Sequence, residues 1–201
     1  MSTHAGFWNR KYDRSSFIYG RQPNRFLLEV ADKATPDGAR VLSLGEGEGR
    51  NAVWMARQGY RVTAVDFSMP ALEKLERFSA ELSVSVDVIC SDVLDFDFSD
   101  RCWDAVVILH LHLPPESRRI LHRRVVDALC CGGVVVLEAL RPKQIEQPTS
   151  GPDSRQCLYS VGELRDDFAD LELQILRSED RVIEAGEHRG LTSIVSLLAR
   201  K

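Results

Sequence analysis

The chain has 201 residues, of which 44% are hydrophobic and 28% charged, so it is long enough for a single domain over residues 1–201 with a sizeable core. The formal net charge of -4 and the pI near 5.8 argue against binding to nucleic acid, which needs clustered Lys and Arg. No apolar run reaches bilayer length and no secretory signal is recognisable, so we expect a cytoplasmic protein, monomeric or homodimeric, that does not act on membranes.

The cysteines argue against a disulfide framework, because there are five of them in a chain without a recognisable secretory signal. Cys130 and Cys131 are adjacent and the other three are scattered, so the Cys-x-x-Cys spacing of zinc sites is absent. We therefore expect reduced thiols.

The chain begins with a segment, Phe7 to Tyr19, that is rich in aromatic and basic residues but shows no sustained period. This composition predicts an N-terminal arm rather than a regular element. A short helix is predicted from Asn24 to Asp32, and residues 1–30 together are expected to cover a ligand site. Thr35 to Gly38 has the composition of a turn.

A glycine-rich turn follows the first predicted strand, Arg40 to Leu44, in the order Gly45-Glu46-Gly47-Glu48-Gly49. Glycines at alternate positions let the backbone turn sharply and approach a ligand closely, because no side chain stands in the way. A helical pattern then runs to Gly59, which is placed where a helix ends. We expect a ligand at this turn.

The second predicted strand, Arg61 to Val65, is followed directly by Asp66. A carboxylate at this position can accept hydrogen bonds from a ribose, as in doubly wound sheets that bind nucleosides. The hydroxyl of Ser68 is predicted to cap the next helix, and a third strand is predicted from about Val84 to Cys90.

The fourth predicted strand, Trp103 to Leu109, is a continuous apolar run of the kind buried on both faces. The next helix, about Glu116 to Leu129, is predicted to turn one face to the core (Ile120, Leu121, Val125, Leu129) and the other to solvent (Arg118, Arg119, Arg123, Arg124). A fifth strand, Val134 to Glu138, follows. Strands that alternate with helices predict an α/β fold, a doubly wound and mostly parallel sheet with right-handed crossovers.

The last third of the chain begins with a long segment without period, Arg141 to Tyr159, which is predicted to be a functional lid. Val161 to Phe168 is predicted to be a helix. Two extended segments, about Leu171 to Ala185 and Leu191 to Arg200, are joined by a link so short that only an antiparallel pair is allowed.

Two nucleoside cofactors compete for this architecture. The dinucleotide pattern Gly-x-Gly-x-x-Gly, counted from Gly45, needs a glycine where the chain has Arg50, and the third glycine is Gly49 instead. Glu46 and Glu48 would repel a pyrophosphate but would tolerate a cofactor with a cationic amine and sulfonium. The turn therefore favours S-adenosylmethionine, and a nicotinamide-dependent oxidoreductase is the alternative.

The segments SLGEGEGRNAVWMARQGYRVTAVDFS and HLPPESRRILHRRVVDALCCGGVVVLEALRPKQ, with the late GEHRG, resemble the class I S-adenosylmethionine-dependent methyltransferases. Within that class they are most similar to the tellurite-resistance-methyltransferase-like subgroup. The resemblance covers nearly the whole chain and implies a Rossmann-like sheet of seven strands, with an antiparallel C-terminal strand beside the fifth. It also implies methyl transfer to a small-molecule acceptor, with tellurite or related chalcogen oxyanions suggested by the subgroup.

The resemblance further implies a set of cofactor contacts. The methionine part is expected on Gly45, Glu46 and Gly47, the ribose on Asp66, the adenine on Phe67, Asp92 and Val93, and the closing wall on Leu109 and His110. Many members of the class carry an acid where this chain has Ser43, so a carboxylate under the methionine amine would have to come from Glu46.

Methyl transfer is an in-line displacement, so no catalytic triad is required, but an amine or hydroxyl acceptor would need a base within hydrogen-bond reach. The candidates are His112, His188, Tyr19 and Glu138. A salt bridge to Arg141 is the alternative role for Glu138. His110 and His112 could pair on a metal, but without a third ligand at a recognisable spacing no metal is expected. A non-catalytic protein that binds S-adenosylmethionine stays open as a further alternative.

Overall fold

The computed structural model describes residues 3–34, 38–98, 102–147, 151–152, 154–184, 186–187 and 189–201. The helices are α1 Thr3–Tyr12, α2 Arg25–Ala34, α3 Arg50–Arg57, α4 Met69–Glu81, α5 Pro115–Ala128 and α6 Val161–Asp167, with 3-10 turns at Pro142–Glu146 and Arg155–Cys157. The strands are β1 Arg40–Leu44, β2 Arg61–Asp66, β3 Asp87–Cys90, β4 Trp103–Leu109, β5 Leu129–Leu140, β6 Glu172–Ile183 and β7 Gly190–Arg200.

The seven strands form one sheet in the order β3-β2-β1-β4-β5-β7-β6. The first five strands pair in parallel, whereas β7 pairs antiparallel with both β5 and β6. This arrangement confirms the predicted Rossmann-like sheet, including the antiparallel tail and the strand inserted beside the fifth.

Each central strand buries both of its faces. Leu42 and Leu44 of β1 belong to one core cluster, and Val41, directly before Leu42, belongs to the other. Successive side chains of a strand point to opposite faces, so a strand between two helical layers must be apolar throughout. The carboxyl ends of β1, β2, β4 and β5 consequently meet at one edge of the sheet, as parallel strands require.

The N-terminal arm contains a helix, α1, that the sequence period did not predict. Its Tyr12 is buried in a small cluster with Ile18 and with Ala71 of α4, and Trp8 packs against that cluster. The helix is therefore stabilised by packing onto α4, and its own sequence carries little periodic signal.

The orientation predicted for α5 is wrong at two positions. Ile120 is 58% exposed, whereas Arg118 is fully buried. The Arg118 guanidinium donates to Asp167 at 3.0 Å and to Glu163 at 3.1 Å, and it lies 4.9 Å from the centre of the Tyr159 ring. Partners on α6 and in the segment before it satisfy the buried charge, so an arginine occupies the core face.

Three local predictions also need correction. The structure joins the sulfur atoms of Cys102 and Cys130, so the expectation of five reduced thiols is wrong for this pair, whose Cα atoms are 5.1 Å apart. Cys102 directly precedes β4 and Cys130 is the second residue of β5, so their proximity depends on the pairing of these two strands. Ser68 is at the N-cap of α4, but its hydroxyl makes no capping bond. Strand β3 starts at Asp87, later than predicted.

The segment predicted to be a lid is anchored at its start. Arg141 and Lys143 both contact the Asp180 carboxylate, at 2.5 and 2.6 Å, and the Gln144 side chain accepts the Ser193 N–H at 2.8 Å.

The turn predicted over residues 35–38 falls mostly on residues 35–37, outside the described part of the chain. Among the described helices, none is both long and apolar enough to cross a membrane.

Candidate functional site

The turn between β1 and α3 holds its backbone in a conformation that glycine adopts without strain. Gly45 and Gly47 have φ of +66° and +68°. A Cβ at Gly45 would lie 2.9 Å from Cδ1 of Leu111, and one at Gly47 would lie 2.9 Å from the Tyr12 hydroxyl. The turn is therefore covered closely by Tyr12 of α1 and by Leu111 of the segment after β4.

Glu46 is buried beneath the turn and caps the amino end of α3. Its Oε1 accepts hydrogen bonds from the N–H groups of Asn51 and Ala52, each at 3.0 Å, and its Oε2 accepts one from the Ser43 hydroxyl at 2.5 Å. Burial raises the pKa of Glu46, and the hydroxyl and N–H donors oppose that rise. A carboxylate has about four acceptor sites, so these three donors leave one for a ligand. The Glu46 carboxylate therefore lies beside Ser43, the position at which many members of the resembling class carry an acid.

Asp66 ends β2 directly against the same turn. Its Oδ2 accepts the Gly47 N–H and its Oδ1 accepts the Ser68 N–H, each at 2.8 Å. Burial raises the pKa of Asp66, whereas these N–H donors lower it. The carboxylate is therefore fixed beside the glycine turn, as the sequence predicted.

The residues expected at the adenine lie on the neighbouring part of this edge. Phe67 and Asp92 are half-buried, and Val93 is buried. The Asp92 carboxylate accepts the Leu94 N–H at 3.0 Å, and its charge raises the pKa of Asp66. Phe67 thus follows the acid at the end of β2 directly, and Asp92 is close enough for its charge to act on that acid.

The chain leaves β4 through Leu109, which is buried, and then His110, which adopts a φ of +59°. This left-handed conformation is uncommon for a residue other than glycine. The His110 N–H donates to the Glu138 carbonyl at 2.7 Å. Its Nε2 lies 3.4 Å from the Glu138 carboxylate and 3.4 Å from the Asn24 amide nitrogen. The backbone turn therefore folds the imidazole onto β5.

Glu138 is fully buried near the carboxyl end of β5. Its Oε1 accepts from Arg181 at 2.5 Å and from Asn24 at 2.7 Å, and its Oε2 accepts from Ser196 at 3.1 Å. Burial alone would raise the pKa of Glu138, but His110, Arg181 and Asn24 outweigh it and hold the pKa at about 2. The partner of this carboxylate is thus Arg181 of β6 and not Arg141, which the sequence had offered as the alternative.

His112 has both ring nitrogens against backbone groups. Nδ1 lies 3.0 Å from the Cys157 carbonyl, and the Leu140 N–H lies 3.5 Å from Nε2. Burial, with a smaller contribution from His110, lowers the pKa of His112 to about 3. These contacts fix the Nδ1–H tautomer and join the end of β5 to the segment before α6.

Glu48 links the glycine turn to the N-terminal arm, a role that the sequence did not reveal. Its carboxylate accepts the Lys74 ammonium at 2.8 Å and the Ile18 N–H at 2.9 Å. The Lys74 ammonium also donates to the Ser16 carbonyl at 2.9 Å. Both side chains of the ion pair are 3% exposed. The arm is therefore clamped over the site by a buried pair whose partners are 26 residues apart.

Tyr19 lies in the arm beside Lys11. Burial raises the pKa of Tyr19, and the hydrogen bond from Lys11 opposes this. The Lys11 ammonium lies 5.3 Å from the centre of the Tyr19 ring and 5.1 Å from that of Trp8, and it pairs with Glu187 at 3.1 Å. The aromatic residues of the arm thus enclose one of the chain's own cations.

Arg50, the first residue of α3, is half-buried in the same region. Its charge interacts with Glu46 of the turn, with Glu138 of β5 and with Tyr12 and Tyr19 of the arm. Burial lowers the pKa of Arg50, and the two glutamates oppose that change. From the sequence, Arg50 was noted only because it stands where the dinucleotide pattern needs its third glycine.

The remaining candidate base, His188, is outside the described residues. Within the part of the chain that the structure describes, no group of three or more His, Cys, Asp or Glu side chains could hold a metal ion.

Comparison with known proteins finds similarity to methyltransferases. Residues 41–133 match the family model of a methyltransferase domain. The cypemycin N-terminal methyltransferase of a Streptomyces species is 32% identical over 130 residues, which are 63% of this chain and 51% of that protein. The chain spans about half the length of the first relatives that it matches.

Two solved structures share the fold along nearly the whole chain. TehB from Haemophilus influenzae superposes with a TM-score of 0.73 at 19% identity, over 98% of this chain and 66% of that one. The N-methyltransferase NodS from Bradyrhizobium japonicum, in complex with S-adenosylhomocysteine, gives 0.72 at 14% identity, over 100% and 99%. Residues 41–133 of this chain are therefore similar to a methyltransferase domain, and the chain shares the Rossmann-like fold of these two solved structures.

Proposed function

We propose that this protein transfers a methyl group from S-adenosylmethionine to a small-molecule acceptor. The observation that carries the proposal is the contact between the Asp66 carboxylate and the Gly47 N–H, at 2.8 Å, at the carboxyl edge of the sheet. An acid fixed against a glycine turn at this edge is the arrangement that binds a nucleoside in doubly wound sheets. The match of residues 41–133 to a methyltransferase domain supports the choice of cofactor.

The residues around the turn fit this cofactor chemically. Gly45 and Gly47 place no side chain at the turn, and a Cβ at either position would lie 2.9 Å from Leu111 or from the Tyr12 hydroxyl, which cover the turn. Glu46 keeps one acceptor site for a cationic amine, and Arg50 would complement a carboxylate. Asp66 would bind the ribose hydroxyls.

Further residues complete the proposed cofactor site. Phe67, Asp92 and Val93 would flank the adenine, and Leu109 and His110 would close the site after β4. Their positions along the edge from β2 to β4 support this order.

S-adenosylmethionine supplies a methyl group on a sulfonium, which is the electrophile of the reaction. The contribution of the chain is to position the acceptor in line with that group and to exclude water, and positioning alone can supply roughly 7 to 11 kcal/mol. The arm residue Tyr12 covers the turn, and the buried Glu48–Lys74 pair holds the arm in place.

We propose further that the chain belongs to the tellurite-resistance-methyltransferase-like subgroup. The glycine turn followed by Arg50 and Asn51, and the likeness in fold to TehB, support this assignment. Fold and cofactor are shared more widely than acceptors, so the subgroup suggests a chalcogen oxyanion without requiring one. The acidic net charge favours a small molecule over nucleic acid as the acceptor.

A thermal-shift experiment tests the cofactor assignment against the alternatives. A ligand that binds only the folded state raises the melting temperature. We expect S-adenosylmethionine and S-adenosylhomocysteine to raise it and NADH to leave it unchanged. A shift with NADH alone would make the protein a nicotinamide-dependent oxidoreductase instead.

A second experiment separates an enzyme from a protein that only binds the cofactor. The protein is incubated with S-adenosylmethionine labelled in its methyl group and with thiols, amines, phenols and tellurite. Transfer of label to any of these supports the enzyme, whereas tight binding without transfer to any acceptor supports the non-catalytic alternative.

A further inference from the structure

The space above the glycine turn is occupied by side chains of the chain itself. The Tyr12 hydroxyl lies 2.9 Å from the position that a Cβ would take at Gly47, and Cδ1 of Leu111 lies 2.9 Å from the corresponding position at Gly45. The methionine part of the cofactor is expected on these glycines. A ligand that approaches Gly47 from this side must therefore displace the Tyr12 ring.

The Tyr12 hydroxyl also lies close to the acid that is expected to bind the ribose. Burial raises the pKa of Tyr12, and the charge of Asp66 raises it further. The Asp66 carboxylate in turn accepts the Gly47 N–H at 2.8 Å. Both side chains are buried, so little water separates them. The Tyr12 hydroxyl thus lies beside both residues on which the proposed cofactor site depends.

Helix α1, which carries Tyr12, is joined to the rest of the arm by an exposed segment. Residues 13–15 are all exposed and belong to no helix or strand. The Ile18 N–H, a few residues later, donates to the Glu48 carboxylate at 2.9 Å, within the buried pair with Lys74. Exposed segments with few packed contacts open at a lower free-energy cost than buried ones. Residues 13–15 are therefore the point at which α1 can turn while the arm stays clamped.

Two exposed ion pairs fasten α1 to the tip of the β6–β7 hairpin, and we call them the latch. The Glu187 carboxylate contacts the Lys11 ammonium at 3.1 Å and the Arg14 guanidinium at 3.0 Å. Glu187 and Arg14 are 38% and 47% exposed, so water weakens their attraction. The latch is therefore easier to break than the buried pair of Glu48 and Lys74.

The hairpin tip is anchored to the clamped part of the arm as well as to α1. The Glu187 N–H donates to the Ile18 carbonyl at 2.9 Å. A Cβ at Gly186 would lie 2.6 Å from Cα of Tyr19, so the two backbones pack directly against each other. Helix α1 is therefore the part that moves when the latch opens.

We propose that α1 is an N-terminal lid that occludes the cofactor site, with residues 13–15 as its hinge and the latch holding it closed. The cofactor reaches the glycine turn after the latch opens and Tyr12 moves away from Gly47. This inference rests on the proposed function, because S-adenosylmethionine is the ligand that the lid admits. Only the open fraction of the molecules binds, so a weaker latch increases both the association rate and the apparent affinity.

Hydrogen exchange measured by NMR tests the lid without any ligand. The Asp13 N–H donates to the Asn9 carbonyl at 3.0 Å, directly after α1. It should exchange about threefold faster or more in Glu187→Gln than in wild type, because α1 opens more often. The Ile18 N–H, which the Glu48 carboxylate holds, should exchange at the same rate in both proteins. Acceleration of both amides, or of neither, would overturn the proposal.

Stopped-flow fluorescence with S-adenosylhomocysteine measures how fast the site is reached. Glu187→Gln should associate about 3- to 10-fold faster than wild type, because two exposed ion pairs are lost. The matched control is Glu81→Gln, since Glu81 of α4 forms an exposed ion pair with Arg21, outside the latch. Its association rate should change less than about 1.5-fold. Equal rates in wild type and Glu187→Gln, or equal acceleration in both variants, would contradict the lid.

Zero-length cross-linking holds the lid closed. A carbodiimide joins an ammonium and a carboxylate in contact as an amide and takes up the released water as a urea, so it should couple Lys11 to Glu187. Mass spectrometry of the digested protein identifies this product. By calorimetry, cross-linked wild type should not bind S-adenosylhomocysteine, whereas Glu187→Gln treated in the same way should still bind it. Undiminished binding to the cross-linked protein would refute the lid.

Failure of the proposed function can be told apart from failure of the lid. If no variant binds S-adenosylhomocysteine under any condition, the proposed function is wrong, and hydrogen exchange still decides whether α1 opens at the latch. If wild type binds it, and Glu187→Gln shows unchanged association and unchanged exchange, the lid alone is wrong.

Discussion

Replacing Glu48 with Gln tests the clamp between the glycine turn and the arm. The carboxylate lies 2.8 Å from the Lys74 ammonium, and both side chains are 3% exposed. Removing one charge of a buried pair leaves the other uncompensated, which costs roughly 3 to 5 kcal/mol. For a chain of this length that loss corresponds to a melting temperature lower by about 6 to 20 °C.

Urea unfolding and calorimetry measure the loss, and hydrogen exchange reports on the arm. The amide hydrogens of Ile18 and Tyr19, which donate to the Glu48 carboxylate at 2.9 and 3.4 Å, should exchange faster in the variant. Replacing both charges, as Glu48→Gln with Lys74→Met, should recover most of the stability, because no unpaired charge remains in the interior.

The chain offers a matched control in the exposed pair of Arg21 and Glu81. This pair also joins α4 to the N-terminal part of the chain, through the segment before α2, but its side chains are 42% and 52% exposed. Glu81→Gln should therefore cost less than about 1 kcal/mol. A loss of stability in Glu48→Gln no larger than that in Glu81→Gln would show that the buried pair does not clamp the arm.

Two further changes test the turn and the buried histidine. Gly49→Ala should lower the free energy of unfolding in urea by roughly 2 to 4 kcal/mol, because a Cβ there would lie 2.5 Å from Leu75 at a φ of +91°. Gly59 has the same φ but lies in open space, so Gly59→Ala should cost only about 1 kcal/mol. Equal losses of stability in the two variants would contradict this. The pKa of His112, lowered to about 3, predicts stability that is complete above about pH 6.5 and lost toward pH 3, because the unfolded chain takes up the proton first. His112→Asn should flatten the curve of unfolding free energy against pH between about pH 6.5 and 4, and an unchanged slope would refute this assignment.

The centre of the site could be predicted from the sequence because its determinants are local. The turn from Gly45 to Gly49 lies between two strands, and Asp66 follows the second of them directly. Parallel pairing then brings the two strand ends together, at 2.8 Å between Asp66 and the Gly47 N–H. The order of strand, glycine turn, helix, strand and acid along one short stretch of the chain was therefore enough to predict where Asp66 lies.

The parts that the sequence missed depend on partners far along the chain. Arg118 has the appearance of a solvent-exposed residue until Asp167, 49 residues later, is known to lie beside it. Glu48 was interpreted by its charge alone, and its partner Lys74 lies on another helix. Glu138 likewise pairs with Arg181, 43 residues away, rather than with the nearby Arg141. The periodicity of a helix and the charges of nearby residues do not reveal ion pairs whose partners lie far apart in the sequence.

The most direct test of the central claim is calorimetry of S-adenosylmethionine with wild type and with Asp66→Ala. We expect binding to wild type and a severe loss of affinity in the variant, about 10-fold or more, with an unchanged circular dichroism spectrum. Equal affinity in the two proteins would show that Asp66 does not bind the cofactor and would contradict the proposed site.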